Sequence, residues 1–283
     1  MIGPDMGTDA QVMAYRCPGD GLDHGHLLAA GGLRGAGGGH RKTGRARRLG
    51  GASGGHRPWS GLSRRSSGKE DRPRPVVSHR CRGFGNVGSN AARIFQEAGV
   101  TVTGVSDVTG GLHTAEGLDI PTVLEYVAAN RTLEGFSEAD HVSNEELLEL
   151  PCDILAPCAL LGQITGQNAD RLRCRILAKG ANGPTTLEAD EILHGRGVYQ
   201  LPDILANAGG VTVSYFEWVQ DTQNYTWSLP QINERLREIV VDAYHRTSAR
   251  AESENLDMRT AALLEGIGRV VQAKLAAVCS RRN

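Results

Sequence analysis

The sequence predicts an α/β protein, a doubly wound and mostly parallel sheet with C-terminal helices, preceded by a segment that does not fold. Three observations predict it. Strand-like and helix-like apolar patterns alternate from residue 83 to 277, a glycine-rich turn opens the first helix, and residues 16–82 carry neither period. The expected divisions are residues 1–15, a largely disordered Gly/Arg-rich segment over 16–82, an α/β domain over 83–215 and a helical segment over 216–283.

The first element follows Gly83-Phe84-Gly85-Asn86-Val87-Gly88, which fits G-x-G-x-x-G. Val87, Ala91, Ile94, Phe95 and Ala98 then recur at helical spacing and predict an amphipathic helix that Gly99 ends. Val100 to Ser106 alternates as a strand, and Asp107 closes it 24 residues after Gly83. This is the Rossmann arrangement: glycines let the backbone approach a pyrophosphate at a helix N-terminus, and the acid receives ribose hydroxyls. Ser143 with Glu146 forms a capping box before a short helix. Cys152–Ala156 and Arg175–Ala178 read as apolar strands. Thr185 with Glu188 starts a helix that Gly195 or Gly197 stops, and Tyr199–Leu201 leads into PDILANAGGVTVSYFEW. Ser228 with Gln231 caps a long helix over about 229–252, and a last helix covers roughly 258–276.

Charge divides the chain. Residues 1–15 hold two acids and no Lys or Arg, residues 16–82 hold 15 Lys and Arg against 4 acids, and residues 83–283 hold 16 against 26. The net charge of −1 describes none of these parts. Six cysteines, at 17, 81, 152, 158, 174 and 279, show no CxxC or zinc-ligand spacing, so no metal site is expected and a reducing cytoplasm is. No apolar run of about 18 residues predicts a membrane span, and the N-terminus does not read as a secretory signal. In the basic segment GASGG (51–55) formally fits a nucleophile elbow, but no apolar strand precedes it. The histidines at 24, 26, 40, 56 and 79 have no paired metal spacing. An Arg/Gly tract binding RNA is the competing reading, a nucleotide-binding protein with an RNA-binding arm, although nucleic acid is not the expected partner.

GFGNVGSNAA, SNEELLEL, KGANGPTTLEADEIL and PDILANAGGVTVSYFEWVQ resemble the glutamate/leucine/phenylalanine/valine dehydrogenases, glutamate dehydrogenase above all. PDMGTDAQVMAY (4–15) resembles a further family stretch. The resemblance implies oxidative deamination of L-glutamate to 2-oxoglutarate and ammonia, with hydride passing to NAD or NADP. It implies that Gly83, Gly85, Asn86 and Val87 hold the pyrophosphate and Asp107 the adenosine ribose. Asn182 and Asn207 would lie near the nicotinamide, and Val211 and Ser214 would face the substrate side chain. Asp5 matches the aspartate that shuttles protons during amine release. For Asn207 the structural alternative is a loop amide stabilising its own turn, and for Ser214 a helix-surface serine. Asp107 favours NAD, because a carboxylate repels a 2′-phosphate and VTGGL after it holds no Arg or Lys.

Two stretches depart from the family pattern. ALLGQIT (159–165) stands where it has ALENQIT, and Lys179 stands where it has an acid before GAN. The basic segment departs entirely, and a frame change accounts for it. With codons that its residues permit, HRKTGRARRL (40–49) shifted by one base reads T-G-K-P-V-E-L-G-G-S, and residues 50–60 permit S-x-G-R-x-E-A-T-G-R-G-V. Both strings resemble the family segment ahead of the glycine turn. The expectation is that frame is lost near Tyr15–Arg16 and restored near Cys81–Gly83. In the family the substrate lysines lie upstream of the stretch matched by residues 4–15, so this chain is expected to lack them and to be inactive or impaired. The family forms homo-oligomers, but largely through that same domain, so assembly is not expected here.

Overall fold

The computed structural model describes residues 78–280. Seven strands form one sheet: β1 (Ser78–Arg82), β2 (Thr101–Ser106), β3 (Gly111–His113), β4 (Asp140–Val142), β5 (Cys152–Pro157), β6 (Cys174–Ala178) and β7 (Tyr199–Leu201). Their order across the sheet is β4-β3-β2-β1-β5-β6-β7. β2, β1, β5, β6 and β7 are parallel, while β3 and β4 add antiparallel pairs at one edge. The helices are α1 (Asn86–Glu97), α2 (Ile120–Asn130), α3 (Asn144–Glu149), α4 (Leu187–Gly195), α5 (Asp203–Ala206), α6 (Ala208–Gln223), α7 (Leu229–Glu254) and α8 (Met258–Ser280).

Two apolar clusters explain why the sheet is covered twice. Ile154 and Ala156 of β5 join Phe95, Leu205, Phe216, Leu236 and Tyr244 in one, while Leu155 joins Leu172, Ala189 and Leu193 in the other. β6 divides in the same way, Ile176 and Ala178 against Leu177. A strand buried on both faces reads as a continuous apolar run. That also corrects the alternation expected of Val100–Ser106, since Val102 to Ser106 are all buried.

Most helix limits follow the sequence signals. The Ser143/Glu146 and Ser228/Gln231 capping boxes both form. Gly99 leaves α1 with φ +83°, and Gly197 follows α4 with φ +74°. Three expectations are corrected. Thr186, not Thr185, caps α4, accepting from the N–H of Ala189. Ala98 lies at the exposed end of α1, and Ala92 takes its place in the core. Ser78–Arg82, assigned to the unfolded segment, forms β1 between β2 and β5. This central strand carries His79, Arg80 and Arg82, residue types foreign to a doubly covered parallel sheet.

Candidate functional site

The turn after β1 requires glycine at Gly83 and leaves open space at Gly85. Gly83 has φ +100°, and a Cβ on it would lie 2.8 Å from the Cβ of Ala159 and 2.9 Å from its Cα. The loop after β5 therefore packs directly on the turn, and only glycine fits. Gly85 precedes α1 with φ −83°, and a Cβ there would meet nothing within 4 Å. No side chain caps α1, Gly85 and Asn86 are exposed, and Val87 is half-buried. The positive end of the helix dipole is thus open to an anion. This turn lies between β1 and β5, where the strand order reverses, the usual crevice for a ligand in such sheets.

Asp107 is tied to the same turn, because Gly83 and Phe84 donate their N–H groups to the carbonyl of Ser106, at 2.8 and 2.5 Å. Its Oδ1 accepts from the N–H and hydroxyl of Thr109, at 2.7 and 2.6 Å, and its Oδ2 from the N–H of Leu133 at 2.7 Å. Partial burial alone would raise its pKa. The bonds from Thr109 and Leu133 outweigh that and hold it below the ordinary 3.8, so the carboxylate is ionised at neutral pH. A carboxylate offers about four acceptor positions, and three are filled by these short bonds. Asp107 therefore has a structural duty, and the long 3.5 Å contact from the Thr132 hydroxyl to Oδ2 is the one a ribose hydroxyl would replace. Sequence reading missed that duty because Leu133 is 26 residues away. Arg131, exposed at the end of α2, precedes this contact by two residues and brings a cation into the neighbourhood that VTGGL lacks.

Asn182 and Asn207, 25 residues apart in sequence, meet directly. The Asn207 amide Nδ2 donates to Asn182 Oδ1 at 2.7 Å and approaches the Gly180 carbonyl at 3.4 Å. Asn207 links α5 to α6 without its side chain capping α6, so it does not simply stabilise its own turn. Val211 and Ser214 follow on α6, three residues apart and on one face, Val211 exposed and Ser214 half-buried. The loop 159–165 joins the two halves of the site. Ala159 packs on Gly83, Gly162 donates to the Gly183 carbonyl at 2.9 Å, and Ile164 to that of Pro184 at 2.9 Å. These are backbone bonds, so the side-chain changes in ALLGQIT leave the loop docked.

Behind this surface lies a charged network. Lys179, almost wholly buried, donates to Asp190 at 2.5 Å, and burial pushes its pKa down against that pairing. Asp203, also buried, accepts from the N–H of Gly183 at 2.7 Å and from Arg259 of α8 at 2.9 Å. A cavity of about 640 Å³ opens behind it, lined by Lys179, Asp190, His194, Asp257 and Arg259 among others. Among the described residues no group of three or more potential ligands could hold a metal, and no helix is long and apolar enough to cross a membrane. Cys152, Cys158 and Cys174 are buried and form no disulfide among the described residues. Asp5, the PDMGTDAQVMAY stretch and nearly all of the Arg/Gly segment lie outside the described residues.

A doubly wound sheet, an uncapped helix N-terminus after a glycine turn and an ionised acid at the end of the next strand make up the architecture of a dinucleotide-binding α/β unit. The match to a family is equally direct. The model of the Glutamate/Leucine/Phenylalanine/Valine dehydrogenase family covers residues 77–277, and the chain belongs to that family. It is 41% identical over 280 residues to the glutamate dehydrogenase of Thermotoga maritima, covering 95% of this chain and 64% of that one. It is 46% identical over 191 residues to the catabolic NAD-specific glutamate dehydrogenase RocG of Bacillus subtilis, covering 68% of this chain and 45% of that one. Among solved structures it resembles the hetero-hexameric glutamate dehydrogenase from Thermus thermophilus in a leucine-bound form. That likeness has a TM-score of 0.66 at 31% identity and covers 70% of this chain and 46% of the other. The chain thus spans about half to two-thirds of the length of these relatives.

Proposed function

We propose that the chain carries the nucleotide-binding half of a glutamate dehydrogenase-type oxidoreductase, which converts L-glutamate to 2-oxoglutarate and ammonia with NAD. The supporting observation is the continuous site along the ends of β1, β2, β5, β6 and β7, from the glycine turn to the amide pair. Gly83, Gly85, Asn86 and Val87 would cradle the pyrophosphate, and Asp107 would accept a ribose hydroxyl. Asn182 and Asn207 would orient the nicotinamide end, with Val211 and Ser214 toward the substrate side chain. A hydroxyl at Ser214 that expects a carboxylate, once covered by bound substrate, would penalise apolar substrates. NAD, when bound, supplies the hydride acceptor. Titrating the full chain with NADH and NADPH, read by nicotinamide fluorescence, tests this reading. NADH should bind at least about tenfold more tightly, and Asp107→Ala should erase the preference; equal affinity for both would refute the choice of NAD.

We further propose that residues 16–82 are read out of frame and that the two ends belong to one enzyme. Two observations support it. The Thermotoga maritima alignment takes in 95% of the chain and so reaches into this segment. The strand just before Gly83 carries charged residues at the centre of the sheet. In such an enzyme, turnover needs groups that position the α-carboxylate and activate water, and no such groups are found among the described residues. The 283-residue chain alone should bind NAD and show no glutamate-dependent NADH formation above background. Turnover by the purified chain would refute that. Peptide mapping of the protein from its own cells would show whether 16–82 is translated as written.

A further inference from the structure

We propose that Asp203 and Arg259 act as positioning residues for the nicotinamide end of the site, coupling the C-terminal helix α8 to the Asn182–Asn207 pair. This inference rests on the cofactor reading above. Asp203 is the first residue of α5 and is 7% exposed, a buried carboxylate. Its Oδ2 accepts the N–H of Gly183, next to Asn182, at 2.7 Å. Its Oδ1 accepts the N–H of Ile204 at 3.0 Å and the Nη1 of Arg259 at 2.9 Å. Four residues later the same short helix ends at Asn207, whose amide meets Asn182 at 2.7 Å. Asp203 therefore fixes both ends of that amide pair. It holds the turn that presents Asn182 and the helix that presents Asn207.

The clasp adds a side-chain anchor to a turn otherwise held by backbone bonds: Gly183 has φ +54°, its carbonyl accepts from Gly162, and Pro184 and Thr186 bond to Ile164. Arg259 supplies the counter-charge that makes burial of the carboxylate tolerable. It lies in the first turn of α8, while Arg259 and Asp203 also act electrostatically on buried Lys179. Lys179 stands where the family carries an acid by resemblance, and its ion-pair partner is Asp190 rather than Asp203. Asp203 is thus left to Arg259. Among the described residues neither the glycine turn nor Asp107 hydrogen-bonds to Asp203 or Arg259, which predicts a selective effect: the nicotinamide half should respond and the adenosine half should not.

The test compares NADH with ADP-ribose, which has the adenosine and pyrophosphate but no nicotinamide. In the full chain, Asp203→Asn and Arg259→Gln should weaken NADH binding roughly tenfold, the size of one hydrogen bond to a charged group. ADP-ribose affinity should stay within about twofold, and Arg259→Lys should recover part of the NADH loss. Equal weakening of both ligands would mean that the pair only supports the fold, and no change in either would mean that it does not position the amides; each overturns the proposal. Should the wild-type chain fail to bind ADP-ribose at all, the cofactor reading itself falls and takes this inference with it.

Discussion

Gly83 and Asp107 show how residue-level chemistry sets the site. Placing a Cβ at Gly83 combines a left-handed φ of +100° with a 2.8 Å approach to Ala159. Gly83→Ala should therefore cost about 2–4 kcal/mol, measured by urea denaturation with tryptophan fluorescence. The hydrogen bonds of Asp107 make its contribution pH-dependent. Its folded pKa lies below the unfolded value near 3.8, so the stabilisation is fully present above that value and is lost as pH falls through the lower one. Asp107→Asn should lower the melting temperature at pH 7, and the gap to the parent chain should close in the acid range. The glycine turn and the acid were both legible in the sequence as types at a spacing. The anchoring of Asp107 by Leu133 was not, because it joins residues brought together only by α2 and its following loop.

Elements were legible wherever caps and periodicity agreed. The Ser228/Gln231 box opens α7, and Ser228→Ala should cost about 1 kcal/mol, read from chemical denaturation. α2 escaped notice because Pro121 reads as a breaker, although a proline in the first turn is tolerated. β3 and β4 are three residues each, too short for a period to show. β1 was hidden for the opposite reason: its residues do not look like a central strand.

At the scale of the whole molecule, α6 and α8 carry apolar side chains in solvent. Tyr215 and Trp218 are 59% and 62% exposed, and Ile267, Val270 and Leu275 on α8 lie between 58% and 61%. Such a surface favours association. Sedimentation velocity should show concentration-dependent self-association of the purified chain, and Ile267→Glu with Val270→Glu should reduce it. A monomer at every concentration would show that this face is harmless by itself.

The sequence by itself determined the family, the doubly wound fold class, the glycine turn and the acid after β2, because these rest on local spacing and on residue types that turns and caps require. It also held the mismatch between the basic segment and everything after it. Only the tertiary structure decided that β1 begins before Gly83, that Asn182 and Asn207 bond to each other, and that Asp203 and Arg259 clasp them from behind. Those facts depend on strand order and on contacts between residues 25 and 56 positions apart. Chain spacing carries no record of such contacts until the sheet has closed the distance.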